Sequence, residues 1–219
     1  VYSSKYVDDD DAEMEFREHL GLVDSDIEAR RLKFKVGRVR EHWAKNCLAV
    51  GLSQGFIEPL EATALDMVQE TVVRFIEAAN KGNFTDQYRD EFNERISKRF
   101  DAVRDYIVCH YRISSRDDTD YWRDCATNEK ISRSLHELLT AWMSGKNITD
   151  ELERQNLDAY FPSVSWNCLL AGKGILPSAD QVRPGNELAH KYDLEKISSY
   201  LQGCALNFKA HQDQLRAVH

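Results

Sequence analysis

Apolar side chains recur every three to four residues over most of this chain, the period of a helix with one buried face. The longest clean run carries Leu65, Val68, Val72, Phe75, Ile76 and Ala79, and Lys81-Gly82-Asn83 stops it. A second long helix is expected with Phe92, Ile96, Phe100, Val103 and Ile107 inward. A third carries Ile131, Leu135, Leu138, Leu139 and Trp142 and ends near Gly145. Residues 150–157 read as a short polar helix, and a last helix presents Leu194, Ile197, Leu201, Cys204 and Phe208 as a buried stripe. Strand signals gather at the beginning, in residues 1–6 and in the alternation over 31–36 that Gly37 ends. Between them, four consecutive acids from Asp8 supply the negative first turn of a helix with Ala12, Met14, Phe16 and Leu20, which Gly21 terminates. Ile175-Leu176-Pro177 and Arg183-Pro184-Gly185 read as turns. The expected fold is mainly α with a little β near the N-terminus.

At 219 residues, 42% hydrophobic and 30% charged, the chain is long enough for one real core or for one domain with an appendage. A net charge of −8 argues against a phosphate-backbone partner, so no nucleic acid is expected. No apolar stretch approaches membrane-spanning length, so no membrane partner is expected either. Cys47, Cys109, Cys125, Cys168 and Cys204 are odd in number and lie outside metal-ligand spacing. They point to no metal and to a thiol-reducing, cytoplasmic location. No Gly-x-Gly-x-x-Gly, nucleophile elbow or zinc spacing is present.

One stretch stands apart, Glu58-Pro59-Leu60-Glu61-Ala62-Thr63. Pro59 suits a helix start, because its missing N–H would be unpaired there. The unpaired N–H groups that follow, together with the helix dipole, make a local anion site with Glu61 and Thr63 at its mouth. The plainer account is that acids and Thr in a first turn simply cap it.

Asn46-Cys47-Leu48-Ala49-Val50-Gly51-Leu52 followed by Gly55-Phe56-Ile57-Glu58-Pro59-Leu60-Glu61-Ala62-Thr63 resembles the signature of flavin-dependent tryptophan halogenases. Further stretches fit the same family: Arg104-Asp105-Tyr106-Ile107 through His110-Tyr111, Arg116 through Trp122, and Ser165-Trp166 with Leu169, Leu170 and Gly172. Val1 to Ser4 is similar to the segment that closes the family's flavin domain. The resemblance therefore implies a C-terminal part of a longer protein, inactive without its flavin-binding half. Residues 1–58 would be the end of the flavin-domain sheet with a connecting segment, and residues 59–219 the helical substrate-binding domain.

The resemblance implies FAD as cofactor, reduced by a flavin reductase that acts as a transient partner. Reduced flavin and oxygen give a flavin hydroperoxide, and chloride or bromide attacks it to form hypohalous acid. A lysine and a glutamate then deliver electrophilic halogen to an indole-like aromatic. Carried onto this chain, Glu61 matches the catalytic glutamate, which also lines the substrate pocket. Thr63 and Ala64 match the halide-binding pair. Leu52 and Leu65 match positions touching the flavin, and Phe161, Ser165 and Trp166 match substrate-pocket positions. The departures are Ala62 for the usual Ser, Ala64 for the usual Gly, and the lack of a lysine in matching context. At the positions that grip an amino-acid head group stand Arg154, Gln155 and Phe161, which favours a less polar indole over free tryptophan.

His110 reads as a hydrogen-bonded structural histidine, and His42 has no evident partner. Trp43, Trp122 and Trp142 read as core, whereas Trp166 opens a helix after a Pro-containing loop and would stack on an indole-like ring. Arg104, Asp105 and His110 read as structural pairing. Two other functions stay open on sequence: a helical interaction module without chemistry, and a flavin monooxygenase that hydroxylates. A homodimer is an arrangement the sequence leaves open.

Overall fold

The computed structural model describes residues 1–157, 159–181 and 193–218. The turn expected at Arg183-Pro184-Gly185 lies outside the described residues. Two compact units are distinguished, Val1–Pro177 and Ser178–His219. The first spans residue 58, where the sequence suggested a boundary.

Local chemistry sets the ends of the first unit's helices. α1 (Asp9–Leu20) begins at Asp8, whose carboxylate accepts from the N–H groups of Asp10 and Asp11, and ends at Gly21 in the left-handed region, φ 67°. α2 (Thr63–Lys81) stops at Gly82, as expected. α3 (Arg89–Arg112) is the longest helix, at 24 residues. α4 (Asp120–Thr127) is capped by Thr119, α5 (Arg133–Met143) by Ser132 and α6 (Ile148–Gln155) by Asn147. α7 (Ser163–Gly172) follows Pro162.

Among the described residues, sheet is confined to two short antiparallel pairs. β1 (Gly37–Arg38) pairs with β4 (Gly55–Phe56), and β2 (Trp43–Ala44) with β3 (Cys47–Leu48). Gly55 is required by close approach: a Cβ there would lie 2.5 Å from the Gly37 carbonyl oxygen and 2.8 Å from the Arg38 Cα.

α3 organises the core because it carries two apolar stripes. Phe92, Ile96, Phe100, Val103 and Ile107 pack with Trp43 and Met67 in one cluster. Ala102, Tyr106, Cys109 and Ile113 pack with Leu135, Leu138, Ile148, Leu152, Trp166, Leu169 and Leu170 in the other. Phe161 touches both clusters. Polar ties pin the small sheets to the helices. The Asn93 side chain accepts from the N–H groups of His42 (2.9 Å) and Trp43 (2.8 Å) and donates to the Trp43 carbonyl (2.9 Å). Buried Gln54 donates to the Thr71 hydroxyl at 2.7 Å, and that hydroxyl donates to the Met67 carbonyl at 2.7 Å.

Several expectations are corrected. Residues 1–6 form no strand; residues 4–6 form a turn, with the Tyr6 N–H donating to the Ser3 carbonyl at 2.9 Å. Residues 31–36 form no strand, and Gly37 opens a strand instead of closing one. On α2, Met67, Thr71 and Ala79 are buried and Phe75 packs against the core as expected, while Leu65, Val72 and Ile76 are exposed.

In the second unit, α8 (Leu194–Ala205) is capped by Asp193, and α9 is His211–Val218. The stripe expected to be buried is exposed at Leu194, Ile197, Leu201 and Phe208.

Candidate functional site

Pro59 opens a single 3-10 turn, Pro59–Glu61, and not the long helix itself. Ala62 then adopts φ 53°, ψ 27°, and α2 starts only at Thr63. The reversal at Ala62 separates Glu61 from the helix it was expected to enter. No side chain caps α2, so its first-turn N–H groups at Thr63 and Ala64 keep the anion-receptive character of an open helix end. The Asp66 carboxylate in that first turn is paired with Arg99 at 2.7 Å, which offsets its repulsion of an anion.

Glu61 is not turned freely into solvent. Its Oε1 lies 2.9 Å from Nε2 of His110, and its side chain retains 34% exposure. The other ring nitrogen of His110, Nδ1, lies 3.0 Å from the Tyr106 carbonyl oxygen one turn earlier on α3. The His110 ring meets the Tyr106 ring edge-on at 4.9 Å. Tyr106 in turn stacks on Phe161 at 3.8 Å and 13°, and meets Trp166 edge-on at 4.9 Å and 85°. Its hydroxyl donates to the Ser165 carbonyl at 3.2 Å. Burial, and secondarily the charge of Glu61, push that hydroxyl up to about 12, so it stays a donor. The structure thus links Glu61, Phe161, Ser165 and Trp166 through two α3 residues, Tyr106 and His110.

Neither residue had been given a site role. The available signal was Tyr106 and His110 at i, i+4, within the motif that also holds Asp105. Asp105 does pair with Arg104 at 2.8 Å, and it accepts from Ser132 at 2.5 Å, but His110 belongs to Glu61. Glu58, also missed, accepts from the Tyr111 hydroxyl, and the Tyr111 ring stacks on Trp122 at 5.6 Å. This fixes the strand-to-turn segment just before Glu61.

The remaining expected residues divide. Trp166 is 3% exposed and sits within the core, its ring edge-on to Tyr106, so it offers no exposed face on which an indole-like ring could stack. Leu52 and Leu65 are 86% and 81% exposed. Arg154 and Gln155 are tied into the α5–α6 contact: Arg154 pairs with Glu151 and Glu137, and Gln155 bonds Ser134 and Glu151. Of the three head-group positions, only Phe161 joins the Glu61 cluster. A cleft of about 340 Å³ is lined by Glu70, Arg74, Arg95, Ile96, Arg99, Ala159 and Tyr160, and none of the expected site residues lines it. Among the described residues no group of acids, histidines and cysteines could hold a metal ion, and no helix is long and apolar enough to cross a membrane.

The structure therefore brings together a carboxylate 2.9 Å from an imidazole nitrogen, stacked aromatic rings and an uncapped helix end. Residues 1–186 match the tryptophan halogenase family, and the chain belongs to it. It is 31% identical over 179 residues to 7-chloro-L-tryptophan 6-halogenase KtzR of Kutzneria sp. (strain 744), covering 80% of this chain and 34% of that protein. It is 32% identical over 202 residues to tryptophan 7-halogenase RebH of Lentzea aerocolonigenes, covering 87% and 37%. The solved tryptophan halogenase of Shewanella frigidimarina NCIMB 400 superposes with a TM-score of 0.82 at 27% identity, covering all of this chain and 42% of that one. The chain thus spans about a third of the length of these curated relatives.

Proposed function

We propose that this chain is the substrate- and halide-binding part of a flavin-dependent halogenase acting on tryptophan or another indole. The observation that carries the proposal is the Glu61 carboxylate, held 2.9 Å from His110 at the edge of the Tyr106–Phe161–Trp166 cluster. In this reading residues 1–58 join the helical part to a flavin-binding half, and residues 59–219 hold the aromatic. FAD, reduced by a separate reductase, would supply the oxidising equivalent that turns chloride or bromide into an electrophile. The apolar, exposed side chains of Leu52 and Leu65 fit contact with a planar cofactor, and the uncapped N-terminus of α2 at Thr63 and Ala64 fits a halide ion.

This chain's own contribution is acid–base and geometric. Glu61 orients the incoming halogen donor and accepts the proton that the ring loses as aromaticity returns. The site's aromatic rings exclude water from that step, which strengthens the electrostatics around the carboxylate. Phe161 lies at the substrate edge, and Arg154 and Gln155 are occupied elsewhere, which supports an indole lacking a tightly gripped amino-acid head group. Five free cysteines fit a cytoplasmic setting.

The test uses FAD, a flavin reductase, NADH, bromide and indole. The 219-residue chain alone gives no bromoindole, whereas the full-length protein does. Product that forms equally without halide, as hydroxyindole, would overturn the halogenase reading.

A further inference from the structure

We infer that His110 is the positioning residue for Glu61, holding a proton between its Nε2 and Oε1 so that only the second carboxylate oxygen is left to face a substrate. The inference rests on the reading of Glu61 as proton acceptor. It starts from donor and acceptor accounting. A carbonyl oxygen can only accept, so Nδ1, at 3.0 Å from the Tyr106 carbonyl, must carry hydrogen and donate. A neutral ring protonated at Nδ1 has a bare lone pair at Nε2. Yet Nε2 stands 2.9 Å from a carboxylate oxygen, a second acceptor. Two lone pairs do not settle at hydrogen-bond distance, so a proton lies between them.

The surroundings keep the ring from turning. It is anchored at both nitrogens, and one side meets the Tyr106 ring, itself stacked against Phe161. Glu61, by contrast, sits on a single 3-10 turn followed by a left-handed residue, and His110 is the polar partner the structure gives its carboxylate. The rigid helix α3 therefore sets where a carboxylate on a short turn points. When the halogenated ring loses its proton, the C–H electron pair returns to the ring and the proton binds the free oxygen of Glu61. The shared proton remains with His110, and the pair then carries two.

The direct test is ¹⁵N NMR of the imidazoles in the 219-residue chain at neutral pH, for the unaltered protein and for Glu61→Gln. The expected result is a protonated Nε2 at His110 that becomes bare in Glu61→Gln, where the amide N–H can donate to it. An Nε2 that is already bare, or that does not respond to Glu61→Gln, overturns the inference. In the full-length enzyme, His110→Phe is expected to lower kcat about tenfold or more with the KM for the aromatic unchanged. His110→Gln, which can still donate to Glu61, recovers part of that loss. If Glu61→Gln abolishes halogenation while His110→Phe leaves kcat within about twofold, His110 has no positioning role and the site reading stands. If Glu61→Gln is itself fully active, the site reading falls, and the NMR result still decides whether His110 holds Glu61. Circular dichroism shows whether His110→Phe folds; if it does not, His110→Gln and the spectra carry the decision.

Discussion

The ring of Phe161 lies face to face with that of Tyr106, centroids 3.8 Å apart and planes 13° apart. Phe161 also packs against both core clusters, so one half-buried residue joins the two sides of α3 at the site. Phe161→Ala is expected to cost about 2 kcal/mol, less than a fully buried aromatic because part of the ring is exposed. Urea unfolding of the chain measures this. Phe161→Tyr, which keeps the stack, is expected to lose little.

His42 is 1% exposed, neither ring nitrogen has a hydrogen-bond partner among the described residues, and the ring stacks on Phe100 at 5.5 Å. Burial, with the positive charge of Arg38 second, pulls it from the ordinary 6.5 down to about 4. The folded chain therefore refuses a proton that the unfolded chain takes up. This leaves stability undiminished above pH 6.5 and lowers it as pH falls from 6.5 towards 4. The loss over that window is about 3 kcal/mol at most. Denaturation midpoints across pH check it. His42→Phe is expected to flatten the dependence, and an equally steep decline in that variant would contradict the assignment.

What the sequence made legible was local. α1 was readable because Asp8 and Gly21 are themselves its cap and stop. The α3 stripe from Phe92 to Ile107 was readable because a 24-residue helix repeats its pattern often enough. The mainly helical fold followed from such periods. Residues 1–6 and 31–36 misled because a strand needs a partner that local alternation does not supply. The α2 face was misjudged because Gln54 reaches Thr71, which turns a polar residue inward and Val72 and Ile76 outward. Glu61 stood out through the family motif, but Pro59 pointed to the wrong helix start, because the reversal at Ala62 moves the open end of α2 to Thr63. The partner of Glu61, His110, was not legible, since the pairing arises only when α3 packs beside the 3-10 turn.

Asn93 satisfies two backbone N–H groups and one carbonyl between β2 and α3. Asn93→Ala strands all three in a partly buried place. The expected loss is about 2–3 kcal/mol, read from thermal or urea unfolding.

Two backbone positions should respond in opposite directions. Ala62 sits in the left-handed region at φ 53°, so Ala62→Gly relieves strain and is expected to stabilise the chain by about 1 kcal/mol. Gly55→Ala would press a Cβ against the Gly37 carbonyl and the Arg38 backbone, and is expected to destabilise by at least about 1 kcal/mol.

The most direct measurement is halogenated indole formed per minute by the full-length protein carrying Glu61→Gln, with reduced flavin and bromide supplied and folding verified. Glu61→Gln keeps the shape of the side chain but removes its capacity to take a proton. The expected result is a fall in kcat of about a hundredfold or more with little change in indole binding. Turnover by Glu61→Gln equal to that of the unaltered protein would contradict the account.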